Sequence, residues 1–313
     1  MLPKSKKIII KGKEVTVHTQ GNGAIPCMFV GAAGLFRKPG MLPESLNKTL
    51  TFYFLDLWET VNRSGVSEPD NYSGLNWDEV VDEIEEGRKK LELEKVVIMG
   101  QSAAGAMPIE YARKYPAHCL LVVPVAFSPL WTEKLAAYRD KFIKGEETRT
   151  ANASEERQRL ITDLDLAYTS SVAGMSPEEA FVARFTADRP LYWKDYETAG
   201  PKINFMWQDY RPNVNKVKVY VTRLLNGYDF FSNPLEKVPM LWCLGIYDYS
   251  VPIPLFTDAL ETFKKSKKLN NVDYYIFTSG HYPMVEVPKE FAAILQATLQ
   301  DQLSAGYKNL TTT

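Results

Sequence analysis

Cysteine and histidine are both scarce in this chain, with three of each in 313 residues. Cys27, Cys119 and Cys243 are odd in number, form no C-x-x-C pair and sit inside the apolar runs IPCMFV, HCLLVVPV and MLWCLG. This argues against a disulfide framework or a thiolate zinc site and for three buried strand positions in a reducing, cytoplasmic setting. Charge of one sign is also missing: 37 Lys and Arg stand against 38 Asp and Glu, interspersed along the chain. No nucleic-acid footprint and no polybasic membrane patch is therefore expected. No apolar run approaches the ~18 residues that a membrane span needs. The basic opening MLPKSKKIIIKGKEV carries only three isoleucines in a row, too few for a signal-peptide core, so an unexported, soluble protein is expected. Internal repeats and low-complexity tracts are absent, and nothing indicates an oligomeric state.

Nearly half the residues are apolar, and they fall into patterned runs. KKIIIKGKEVTVHTQ reads as a hairpin around Lys11-Gly12-Lys13. Strand candidates follow at 25–31, 50–57, 95–100, 119–127, 238–245 and 272–278. These runs are continuously apolar rather than alternating, the mark of strands covered on both faces. Between them lie amphipathic helices. One starts at Trp77, with Val80, Val81, Ile84, Arg88 and Leu91 inward and Asn76 and Glu79 spaced as a capping box. Another is opened by Pro254, with Phe256, Ala259, Leu260 and Phe263 inward. Pro288 opens the last, and YKNLTTT is expected to fray. Strand-helix alternation of this kind predicts an α/β fold with a mostly parallel, doubly wound sheet.

The alternation stops between Ser128 and Glu236, where the pattern turns helical and aromatic, with SPEE at 176–179 as a helix start. The expected organisation is a core of residues 1–128 and 237–313 with an inserted helical cap, 129–236. Such a cap belongs over the carboxyl ends of the strands, where open α/β sheets bind ligands. Trp131, Trp193 and Trp207 are its candidate substrate contacts.

Acyl transfer needs a hydroxyl nucleophile, a histidine to take its proton, a carboxylate to orient the histidine, and amides awaiting the oxyanion. VVIMGQSAAGAMPIEYARKYP places Ser102 between a buried strand and a helix, in a near match to G-x-S-x-G with Ala104 at the last glycine. Pro108 should loosen the first turn of that helix. Of the three histidines, His18 and His118 read as edge or surface residues. His281 lies on the loop between the last strand and the last helix. Asp248, in LWCLGIYDYSVP, stands just past the preceding strand and completes the chain order Ser, Asp, His. Asp56 precedes the serine and reads as a brace for its own loop, and Ser128-Pro129 offers no carboxylate. The small-residue loop FVGAAGL at 29–35 makes the Ala32 amide the partner of the Ala103 amide in an oxyanion hole.

Together these stretches resemble the α/β-hydrolase superfamily, and more narrowly its proline iminopeptidase-like branch of serine peptidases. The carrying pieces are IMGQSAAGAMPIEYARKYP, GIYDYSVP and SGHYPMVEVPKEF. The last is similar to the family's G-H-x-P-x-x-E-x-P-x-x-F pattern through Pro283, Glu286 and Pro288. The likeness runs from about Ile8 to Leu299 and is only architectural in the cap. It implies an α/β-hydrolase fold with a helical cap and no cofactor or metal. It also implies Ser102 as nucleophile, His281 as base, Asp248 as orienting acid, and Ala32 and Ala103 as oxyanion donors. Epoxide hydrolase and dehalogenase relatives would need aspartate at position 102.

Two departures bear on substrate. The family's H-G-G-P-G loop is Val30-Gly31-Ala32-Ala33-Gly34 here, and its D-x-R-G-x-G-x-S stretch is reduced to Asp56-Leu57-Trp58 and Arg63-Ser64-Gly65. An aminopeptidase also wants acidic groups for the substrate's amine. Glu178, Glu179, Asp209 and Asp229 are candidates only, each more readily read as a helix cap or solvated charge. The expected function is a serine hydrolase acting on an ester or amide of a small, largely apolar molecule or short peptide, in the manner of a carboxylesterase or lipase. A proline iminopeptidase is the alternative within the class. A binding or signalling protein that keeps the fold without efficient turnover is the alternative outside it.

Overall fold

The apolar runs assemble into one sheet. The computed structural model describes residues 4–58, 63–64, 72–144, 155–264 and 271–310. β1 (Lys4–Ile10) and β2 (Lys13–Gly21) form the expected hairpin. β3 (Ile25–Gly31) and β4 (Leu50–Asp56) follow, and the two-residue β5 (Arg63–Ser64) pairs with β2. Gly65 lies outside the described residues. β6 (Val96–Gln101) and β7 (Cys119–Val125) sit at the centre. β8 (Leu130–Trp131) and β9 (Tyr228–Asp229) pair only with each other, a small ladder that the sequence reading did not include. β10 (Met240–Gly245) and β11 (Val272–Phe277) complete the set. The order across the sheet is β1-β2-β4-β3-β6-β7-β10-β11, and every pairing from β4 to β11 is parallel.

Alternate residues of a strand face opposite sides, and β6 separates the two halves of the core accordingly. Val96 and Ile98 join one apolar cluster, while Val97 and Met99 join the other. On the first side lie α1 (Trp77–Lys90) and α2 (Ala106–Lys114), which contribute Val80, Val81, Ile84, Ile109 and Ala112. The Asn76 side chain accepts from Glu79 N–H, which caps α1. Arg88 is tolerated on the inner face because it pairs with Glu85 at 2.7 Å, and Tyr111 Oη donates to the same carboxylate.

Between β7 and β10 the chain is helical: α3 (Glu133–Ile143), α4 (Glu155–Ser171), α5 (Pro177–Ala187), α6 (Arg189–Tyr192), α7 (Gly200–Trp207) and α8 (Val214–Val219). α5 carries the full capping box of Ser176 and Glu179. α8 runs on into a π-helical turn at Tyr220–Leu225, a rare geometry that tends to mark functional sites. Three helices then finish the chain: α9 (Ile253–Lys264), α10 (Pro283–Glu286) and α11 (Pro288–Leu310). Phe256 and Leu260 of α9 pack on the first side of the sheet, and Phe291, Leu295 and Leu299 of α11 on the second.

Three details differ from the expectations. Pro254 is the second residue of α9 rather than its first. Cys119 is half-buried at the entry of β7, whereas Cys27 and Cys243 are buried. Residues 307–310 fall within α11 rather than in a non-helical tail, and residues 311–313 lie outside the described ones.

Candidate active site

Ser102 is the first residue after β6 and has φ of 56°. This left-handed conformation is strained for a residue with a Cβ, and such strain gathers at functional sites. The chain turns through a 3-10 segment, Ser102–Gly105, before α2 begins at Ala106. Pro108 therefore falls at the third position of α2, where a backbone N–H would have no intrahelical partner and its absence costs the helix nothing. The turn leaves no room at Gly100, where a Cβ would lie 2.4 Å from the Ala104 carbonyl oxygen.

Ala104 itself is accommodated from across the sheet. Gly31 has φ of 86°, and a Cβ there would stand 2.3 Å from the Ala104 Cβ. The methyl at the elbow fits because its neighbour has none. Gly31→Ala should cost about 1–2 kcal/mol for the left-handed backbone and about 1–3 kcal/mol for overpacking. With Ala104→Gly added, the nearest remaining atom is Met107 Sδ at 3.5 Å. Urea unfolding should then show the double variant recovering the packing share of the loss and keeping the backbone share.

His281 and Asp248 meet at the carboxyl ends of β10 and β11. His281 Nδ1 lies 2.7 Å from Asp248 Oδ2, and both side chains are 1% exposed. Asp248 Oδ1 accepts from the N–H groups of Ser250 and Val251, each at 2.9 Å, so both carboxylate oxygens are engaged. The loop bearing His281 is anchored by Glu286. Its Oε2 accepts from Lys194 and Gly280 N–H and its Oε1 from Tyr282 N–H. Burial pushes the Glu286 carboxyl up in pKa, against the pull of those three donors.

The helical insertion is knitted into both loops. Tyr192 C=O accepts from His281 N–H at 2.6 Å, and Leu191 C=O accepts from Tyr249 N–H at 3.0 Å. Tyr220 Oη donates to the Ala103 carbonyl at 3.1 Å. Asp56 braces as expected, with Oδ2 accepting from Gly34 N–H and Oδ1 from Trp58 N–H. Gly34 belongs to the loop after β3, so the brace spans two neighbouring strand ends. Tyr210 Oη, from the insertion, reaches the same carboxylate.

Ala32, Gln101, Ser102, Ala103 and His281 line one cavity of about 240 Å³. Its outer walls come from the insertion and are mostly aromatic: Trp131, Phe181, Phe185, Tyr192, Trp207 and Tyr210. Trp131 and Trp207 thus line the cavity that holds Ser102. Trp193 does not: it is buried against the Tyr282 ring, with centroids 4.8 Å apart. None of the four acidic candidates lines the cavity. Glu179 completes the α5 capping box, Glu178 lies beside it, Asp229 accepts from Phe231 and Ser232 N–H, and Asp209 sits on an exposed turn. His18 and His118 are away from the cavity, on β2 and before β7. Arg139, Tyr192 and Tyr210 line it without having been singled out from the sequence, for each lies in an ordinary helical or aromatic stretch.

No family model matches the chain. A curated relative, the AB hydrolase superfamily protein YclE of Bacillus subtilis (strain 168), is 26% identical over 296 residues, covering 90% of this chain and 93% of its own length. The crystal structure of proline iminopeptidase from Mycobacterium smegmatis superposes with a TM-score of 0.64 at 17% identity, covering 96% of this chain and 100% of that one. A thermophilic esterase from Thermogutta terrifontis gives 0.64 at 14% identity, covering 96% and 99%. The structural likenesses establish the fold, and the sequence likeness runs through nearly the whole length. The chain has the α/β-hydrolase fold and is similar in sequence to a protein of the AB hydrolase superfamily.

Proposed function

We propose that the chain is a serine hydrolase that cleaves an ester or amide of a small, largely apolar molecule through an acyl-enzyme on Ser102. The observation that carries this reading is the cavity in which Ser102, on a strained turn, faces the same space as His281, itself held by Asp248 at 2.7 Å. In the proposed cycle His281 takes the Ser102 proton as Oγ attacks the carbonyl carbon. The amides of Ala32 and Ala103 receive the oxyanion, and the tetrahedral intermediate collapses as His281 protonates the leaving group. Water then repeats the sequence on the acyl-enzyme. Asp248 holds the Nδ1–H tautomer, leaving Nε2 free to accept. The helical insertion acts as the cap, and its aromatic wall favours an apolar acyl or leaving group.

Esterase action is preferred to iminopeptidase action. An amino-terminal ammonium needs carboxylates near it, and no Asp or Glu lines the cavity among the described residues. Among those residues no helix is long and apolar enough to cross a membrane. Short and medium acyl p-nitrophenyl esters should be hydrolysed at least about tenfold faster, by kcat/KM, than proline p-nitroanilide. Faster release from the anilide would reverse the preference.

A further inference from the structure

The cavity that holds Ser102 and His281 contains one other charged side chain, Arg139 of α3. The rest of that cavity is lined chiefly by rings, among them Trp131, Phe185, Trp207, Tyr210 and Tyr192, whose phenol feels the Arg139 charge. A cation among apolar walls is costly unless something pairs with it. The Arg139 Nε is buried and has no hydrogen-bond partner. Asp188 feels its field, but that carboxylate is already bonded to Arg184 Nε at 2.8 Å. No hydrogen bond or ion pair joins Arg139 to Asp188 or to any other carboxylate among the described residues, so its donors remain open to the cavity.

We propose that the substrate carries a carboxylate, which Arg139 receives while Ser102 attacks an ester or amide carbonyl elsewhere in the same small molecule. This rests on the hydrolase reading above and narrows it. A guanidinium offers a planar fork of donors matched to a carboxylate. Nothing of opposite sign lines the cavity to compete for it among the described residues. A volume of about 240 Å³ lies below the range of roughly 300–1,000 Å³ common for ligand pockets. Only a short spacer fits between the two groups, and the aromatic walls suit a chain of methylenes. A half-ester of a short dicarboxylic acid has all three features. A substrate with a free ammonium would instead meet a like charge.

The test compares monomethyl adipate with methyl hexanoate, which has the same acyl chain length without the terminal charge, in wild type, Arg139→Gln and Arg139→Lys. A charge-assisted contact of ordinary strength predicts a kcat/KM ratio favouring the half-ester by about tenfold or more. Glutamine should lower that ratio about tenfold, and lysine should retain part of it. A wild-type ratio near one, or a ratio unchanged by glutamine, overturns the proposal. Binding is read separately in Ser102→Ala by the fluorescence of Trp131 and Trp207. Monomethyl adipate should bind about tenfold more weakly once Arg139→Gln is added, and equal affinity for methyl hexanoate and the half-ester would again overturn the proposal. Hydrolysis of neither ester, with the carboxylate preference intact in binding, would defeat the hydrolase reading alone. Hydrolysis of both without preference would defeat the role of Arg139 alone.

Discussion

Ser102→Ala is expected to lower kcat/KM for a short p-nitrophenyl ester by about 10⁴-fold or more while the protein remains folded. The loss is so large because no other group in the cavity can form the covalent intermediate. The other hydroxyls lining the cavity, Tyr192, Tyr210, Ser250 and Tyr282, do not sit on the strained turn after β6, and burial pushes the Tyr192 and Tyr282 phenols up in pKa, away from the phenolate. Folding should survive because removing one hydroxyl exposes no buried charge, and alanine occupies the same turn with a smaller side chain. The left-handed backbone at position 102 stays strained in both proteins, so thermal unfolding should differ little. Activity retained within tenfold of wild type would remove Ser102 from the mechanism.

Asp248→Asn should cost about 10⁴-fold in kcat through the tautomer of His281. The asparagine carbonyl can still accept from Ser250 and Val251 N–H, so the loop is kept. The amide nitrogen then faces Nδ1, which must become the acceptor. The proton moves to Nε2, and the ring can no longer take one from Ser102. KM should change far less than kcat, since Asp248 is buried behind the ring and is not among the residues lining the cavity. A variant that loses affinity and keeps turnover would mean that Asp248 serves the substrate rather than the histidine.

Much of this arrangement could be read from residue order because the chemistry is borne by side chains at strand ends. The central strands announced themselves as unbroken apolar runs, since helices cover both faces of the sheet. The order Ser102, Asp248, His281 followed from three loops that parallel pairing brings to one edge. The insertion was harder to resolve in detail. Its helices α3 and α4 are mostly exposed and α5 is mostly half-buried, so apolar periodicity is weak there and does not separate Trp207, which lines the cavity, from Trp193, which packs under Tyr282. The grip of α6 on His281 runs through the Tyr192 carbonyl, and a main-chain contact leaves no mark in a sequence. Arg139 is likewise inconspicuous, because AAYRDKF reads as an ordinary solvated helix. Ala104, by contrast, reads as a defect only when the motif is taken alone; its methyl faces Gly31, a partner remote in sequence.

The central claim is that Ser102 is an activated nucleophile, and covalent labelling tests it most directly. Folded protein treated with a fluorophosphonate probe and mapped by peptide mass spectrometry should carry one adduct, on Ser102, and His281→Ala should label far more slowly. An unlabelled Ser102 in folded wild-type protein, or an adduct formed only elsewhere, would contradict the account.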